Sequence, residues 1–135
     1  MDEPVQILDW QATKVDSDKG RWLLDSHDFK LPKEFTVAQS AVIGLAPGGW
    51  AANHRHAKRE IFLALAGELY LVWRTADGQR HEQPMVAEHG QLQAFVTGPN
   101  VDHLVENRGN SDASLYEWSD GTDAAMMLEG NDSLR

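Results

Sequence analysis

The sequence predicts an all-β fold, a sandwich or barrel built by a single domain. Three observations carry that prediction. Apolar and β-branched runs of about 4–8 residues recur along the chain, turn-forming clusters separate them every 8–12 residues or so, and the middle of the chain has no helical period. A chain of 135 residues fits one domain. At that size about two-thirds of the unfolded surface can be buried, enough for one core without staples.

The elements follow in order. Residues 1–35 read as an N-terminal arm, irregular or edge-strand in character, with Trp10, Trp22, Leu23 and Leu24 as apolar anchors among charges and "LPKEF" as a break. The barrel is expected over residues 36–120. "TVAQSAVIGLAP" is a strand that stops at Pro47 and the Gly48 and Gly49 pair. "IFLALAGELYLVW" gives two strand runs interrupted at Gly67, and Asp77 with Gly78 stands where a hairpin turn is due. "QLQAFV", "DHLVEN" and "ASLYEWS" are further short strands. In the tail, residues 121–135, "TDAAMMLEG" has the form of a short C-terminal helix, with Thr122 or Asp123 as N-cap and Gly130 as stop.

Composition excludes several functions. The chain has no cysteine, which rules out disulfides, thiolate nucleophiles and Cys-ligated zinc or iron–sulfur sites, and leaves His, Asp and Glu to hold a metal. A formal charge of −9 argues against nucleic acid as a partner, because affinity for a phosphate backbone comes largely from Lys and Arg. The start has neither a basic n-region nor an apolar h-region, and no apolar run approaches the roughly 18–20 residues of a membrane span. The expectation is a soluble, cytoplasmic protein with no membrane partner.

Chemistry concentrates in "GGWAANHRHAKREIFLALAGELYL". On a strand alternate residues share a face, so His54 and His56 point the same way, about 7 Å apart along the backbone, while Arg55 points away. Glu60 follows across "AKR" and opens the apolar run. If its strand lies beside that of the histidines, two nitrogens and one oxygen converge. Such a group suits a divalent first-row ion and leaves positions open; otherwise the three are ordinary rim residues. His27, His81 and His89 have no partners at ligand spacing and read as surface or core histidines. Arg55, Lys58 and Arg59 read as a solvated rim, and Asn107 as a turn former before "RGN". Trp50 would roof the site or cover an interface. Leu115 and Glu117 share one face of their strand and Tyr116 and Trp118 the other, without the sequence fixing which looks inward.

The spacing of Gly48, His54, His56, Glu60 and Gly67 resembles the first motif of the cupin family. Gly90, Gly98, His103 and Asn107 resemble its second, with Val96 at the motif's proline position and two extra residues between Gly98 and His103. The resemblance covers roughly residues 36–119 and implies a small jelly-roll β-barrel with His54, His56, Glu60 and His103 as ligands of one divalent transition metal ion: Fe, Mn, Ni, Zn or Cu. It also implies a small-molecule ligand in the barrel and assembly as a homodimer, with the arm's Trp10, Trp22 and Leu23 crossing to the partner or packing on their own barrel. For function it implies a metal-dependent enzyme of dioxygenase, isomerase or lyase type. A non-catalytic ligand-binding or regulatory cupin is the alternative. A third reading is a metal-independent nucleotide-sugar ketoisomerase that uses His54 and His56 as acid and base.

Overall fold

The structure is a computed structural model that describes residues 3–88 and 90–135. In chain order the strands are β1 (Val5–Gln11), β2 (Lys14–Asp16), β3 (Arg21–Leu23), β4 (Gln39–Leu45), β5 (Trp50–Arg55), β6 (Glu60–Ala66) and β7 (Leu69–Arg74). They continue as β8 (Arg80–Pro84), β9 (Ala87–Glu88), β10 (Gln91–Thr97), β11 (Asp102–Asn107), β12 (Ala113–Ser119) and β13 (Met126–Met127). One sheet runs β1-β10-β6-β12-β4 with β9 beside β10, and the other runs β13-β5-β11-β7-β8. All their pairings are antiparallel, and the two sheets close around a shared interior as a jelly roll.

Strand parity decides what faces inward. Phe62 and Ala64 of β6 join Phe95, Leu71, Val105 and Leu115 in the barrel core. Their neighbours Ile61 and Leu63 point to the outer face, where Trp10, Phe35, Leu92 and Val96 cover them. A strand buried on both faces loses the alternation of a half-buried one, which is why "IFLALA" is continuously apolar.

The arm is therefore structural. β1 pairs with β10 along its length, from Val5 opposite Thr97 to Gln11 opposite Gln91. Trp10 is 1% exposed, with ring centroids 5.3 Å from Phe29 and 5.8 Å from Trp118. Trp10 and Trp22 pack on their own barrel, while Leu23 stays exposed.

The helix expected over residues 122–130 is not formed. Met126 and Met127 lie extended as an edge strand on β5, and a single 3-10 turn spans Gly130–Asp132. A segment this short gains little from helical propensity, and the open edge of β5 offers backbone hydrogen bonds while Leu128 and Leu134 close a small cluster over Val72 and Leu104.

Gly67 is required twice over: its φ is +94°, and a Cβ there would stand 2.4 Å from the Ala113 Cβ. Gly48, at φ +77°, has open space around it and is needed only for its backbone conformation.

Candidate metal centre

His54 is the penultimate residue of β5, His56 follows that strand, Glu60 begins β6 and His103 lies in β11. Strands β11 and β5 are neighbours, with His103 opposite His54. β6 belongs to the facing sheet, so Glu60 reaches the histidines across the barrel and not from an adjacent strand as its sequence position suggested. One ligand atom from each residue lies within 4.8 Å of all the others. Ligands about 2.1 Å from a first-row ion stand roughly 3–4 Å apart; the His54–His103, His103–Glu60 and His54–Glu60 separations of 3.1, 3.1 and 3.6 Å fall in that range, and the 2.5 Å His56–Glu60 contact is tighter.

The hydrogen bonds fix the ring orientations. His56 Nδ1 lies 2.8 Å from the Lys58 carbonyl oxygen, and His103 Nδ1 lies 2.8 Å from that of Val101. A carbonyl only accepts, so each Nδ1 carries a proton and donates it. In a neutral ring Nε2 then presents a lone pair, and both Nε2 atoms face Glu60 Oε1, at 2.5 Å from His56 and 3.1 Å from His103. His54 Nε2 is 3.1 Å from His103 Nε2 and 3.6 Å from Glu60 Oε1. Acceptors this close repel unless positive charge lies among them, either protons on the rings or a cation. Backbone carbonyls on the far ring nitrogens are also the usual support for metal-bound imidazole.

Burial grades the four. His56, Glu60 and His103 are enclosed, and the side chain of His54 keeps 18% of its surface, so the site meets solvent through His54. Burial disfavours the charged form of His56, but the hydrogen bond and charge of Glu60 outweigh it and raise its pKa. For His103 burial wins over Glu60 and the pKa is lowered. Glu60 is held ionised: burial opposes the charge, and the three imidazole rings that surround the carboxylate overcome it. Its other oxygen, Oε2, accepts from Ser119 Oγ at 3.4 Å.

The register also orients β12. Leu115 and Glu117 stand opposite Ala64 and Phe62 and look into the barrel, whereas Tyr116 and Trp118 pack in the outer core under the arm. Glu117 thus approaches Glu60, and burial together with that neighbouring charge pushes its pKa up to about 7. Sequence parity paired Glu117 with Leu115, but only the register says that this face is the inner one. Asn53 lies at a bulge in β5, where His103 stands opposite His54 but Leu104 stands opposite Ala52, and no residue pattern in the sequence announces it.

The remaining singled-out residues take other roles. Asn107 is buried, donates to the carbonyls of Leu45 and Ser111 and accepts from Gly109 N–H, closing a turn. Arg59 pairs with Asp120, and Arg55 and Arg74 share Asp102 beside a groove of about 580 Å³. Trp50 lies under the Arg135 guanidinium, 4.5 Å away. His81 stacks on Trp73, and His27 sits in an exposed turn. His89 lies outside the described residues.

No protein-family model matches the chain, and no curated protein is significantly similar to it. Solved structures are similar in fold. A dTDP sugar isomerase from Desulfovibrio desulfuricans G20 aligns with a TM-score of 0.69 at 14% identity, over 98% of this chain and 83% of its own. A cupin 2 domain-containing protein from Halorhodospira halophila aligns with a TM-score of 0.62 at 14% identity, over 96% and 85%. The capsular polysaccharide assembling protein CapF from Staphylococcus aureus aligns with a TM-score of 0.61 at 22% identity, over 79% of this chain. This chain spans only 35% of CapF. No helix among the described residues is long and apolar enough to cross a membrane.

Proposed function

The chain has the cupin fold, and from the four donors converging inside its barrel we propose that it is a metal-dependent enzyme acting on a small organic substrate. The observation that carries this reading is the set of ring orientations. Two imidazoles, each locked by a backbone carbonyl, aim their remaining nitrogens at one carboxylate oxygen, with a third imidazole nitrogen beside them. His54, His56, Glu60 and His103 would hold one divalent first-row ion. Bound there, the ion supplies Lewis acidity, or redox chemistry if it is iron, manganese or copper, toward a substrate oxygen.

The chain's own groups define the rest. Phe62, Phe95, Leu71 and Leu115 fill the barrel below the cluster, so the deep side is dry and substrate approaches from the side of His54. Ser119 steadies the carboxylate of Glu60. Glu117, its pKa near neutrality, can hold or release a proton beside the site. Strand β4 is an open edge on which Val42 is 65% exposed, which supports the expectation of a homodimer.

A second reading is favoured by the fold shared with the dTDP sugar isomerase along nearly the whole chain: a metal-free ketoisomerase with histidines as acid and base. The groove beside Arg55 and Arg74 would give a nucleotide room. Against it, the His56 side chain has no exposed surface, so a substrate would meet His54 alone.

Metal analysis of protein purified without chelator separates the two. About one ion per chain, lost with a chelator and restored with a rise in melting temperature, supports the metal reading. A trace far below one per chain, with turnover of a nucleotide-linked keto sugar that survives chelation, sinks it.

A further inference from the structure

We propose that residues 126–134, acting through Asn53, are a positioning element for His54, so that this tail is part of the metal site although none of its side chains is a ligand. The inference takes from the proposed function that His54 is a ligand. It starts from a break in the register of β5. His103 stands opposite His54, but Leu104 stands opposite Ala52, which leaves Asn53 as an extra residue in the strand. Ala52 and Asn53 are both left-handed, at φ +68° and +56°, a conformation that costs energy in residues bearing a Cβ.

The extra residue changes what β5 presents. Ala51, two places before Asn53, packs on the barrel core, and strict alternation would put residues 51, 53 and 55 on the inner face. With the bulge, Asn53 turns outward and His54 turns in to meet His103. A β-bulge is the usual device for re-aiming one side chain beside a site.

The tail holds that bulge closed. Asn53 is 5% exposed, and the hydrogen-bond partners found for its side chain all come from the tail. Its Nδ2 donates to the Leu128 carbonyl at 3.4 Å and to Ser133 Oγ at 3.0 Å, and its Oδ1 accepts from Leu134 N–H at 2.9 Å. Leu128 N–H donates to the Asn53 carbonyl at 2.9 Å, and Met127 pairs with His54 itself. Leu128 and Leu134 anchor the clamp on Val72 and Leu104. His56 and His103 are held by the carbonyls of Lys58 and Val101, whereas among the described residues His54 Nδ1 has no such bond; apart from the Nε2 contact with His103, the clamp on its strand is what fixes its direction.

The test reads the imidazoles directly. In metal-free, ¹⁵N-labelled protein, long-range ¹H–¹⁵N spectra of Asn53→Ala, Asn53→Gly and Leu134→Ala are compared with wild type. Asn53→Gly keeps the left-handed backbone and removes only the side-chain hydrogen bonds of the clamp; Leu134→Ala leaves Asn53 in place and serves if the Asn53 variants do not fold. The expected result is that His54 ring resonances move or broaden while those of His56 and His103 stay; unmoved His54 resonances, or equal movement of all three rings, overturn the inference. Zn(II) affinity, measured by competition with a chromophoric chelator, closes a cycle with His54→Ala. Asn53→Ala should cost about 10–100-fold in the wild-type background and nothing further once His54 is gone. An equal loss in both backgrounds contradicts the positioning role. If wild type binds no Zn(II), the proposed function fails, and the spectra still decide whether the tail positions His54.

Discussion

His56 Nε2 lies 2.5 Å from Glu60 Oε1 while His56 Nδ1 already donates to the Lys58 carbonyl. The ring therefore cannot rotate to relieve its contact with the carboxylate without breaking a bond elsewhere. The pair is held ready for a positive charge, which a proton supplies in metal-free protein and which, on the proposed function, an ion would supply.

Glu60→Gln separates those two states. The amide NH₂ can donate to the imidazole lone pairs, so the metal-free protein should melt close to wild type. Zn(II) affinity should fall by at least about a hundredfold, beyond what losing a supporting group costs. Calorimetry for stability and chelator competition for affinity check both halves; loss of stability with affinity intact would contradict the assignment.

Glu117 should leave its mark on the pH dependence of stability in metal-free protein. Its pKa rises on folding from the ordinary 4.5 to about 7, so between those values the folded state binds more protons than the unfolded one. Stability from this group is then fully present below pH 4.5 and is lost as pH rises to about 7. In urea unfolding, the difference in stability between Glu117→Gln and wild type should grow in the variant's favour across that window and level off above it. A constant difference would show that Glu117 is not perturbed.

Trp10→Ala tests the arm. The indole is buried between Phe29 and Trp118 on the back of the sheet that carries Glu60, and removing it should cost about 3–5 kcal/mol in urea unfolding. A cost below about 1 kcal/mol would mean that the arm does not pack on its own barrel.

Gly67→Ala should destabilise by about 1–3 kcal/mol or more, since the new methyl meets Ala113 and the left-handed backbone is lost as a low-energy state. The double variant with Ala113→Gly should recover the part due to the clash and keep the part due to φ. Full recovery would assign no cost to the backbone.

The barrel and three of the converging residues were legible because they follow local rules: parity places His54 and His56, and the apolar run after Glu60 marks the next strand. His103 came from the resemblance to a second motif, across a loop with two extra residues. What stayed hidden depends on register and tertiary contact. The tail reads as a helix by its own residues, but the open edge of β5 turns it into a strand. Glu60 reads as a neighbour's carboxylate, whereas strand order places it across the barrel. The direction of Glu117 and the role of Asn53 follow only once β12 and β11 are aligned with their partners, and a bulge shifts every alternation argument by one residue.

The most direct measurement is the zinc-edge X-ray absorption spectrum of protein reconstituted with one equivalent of Zn(II). Three imidazoles by their multiple-scattering signature and one carboxylate oxygen are expected, with one imidazole missing in each of His54→Ala, His56→Ala and His103→Ala. A spectrum of hydrated zinc, or one unchanged by those substitutions, would contradict that ligand set.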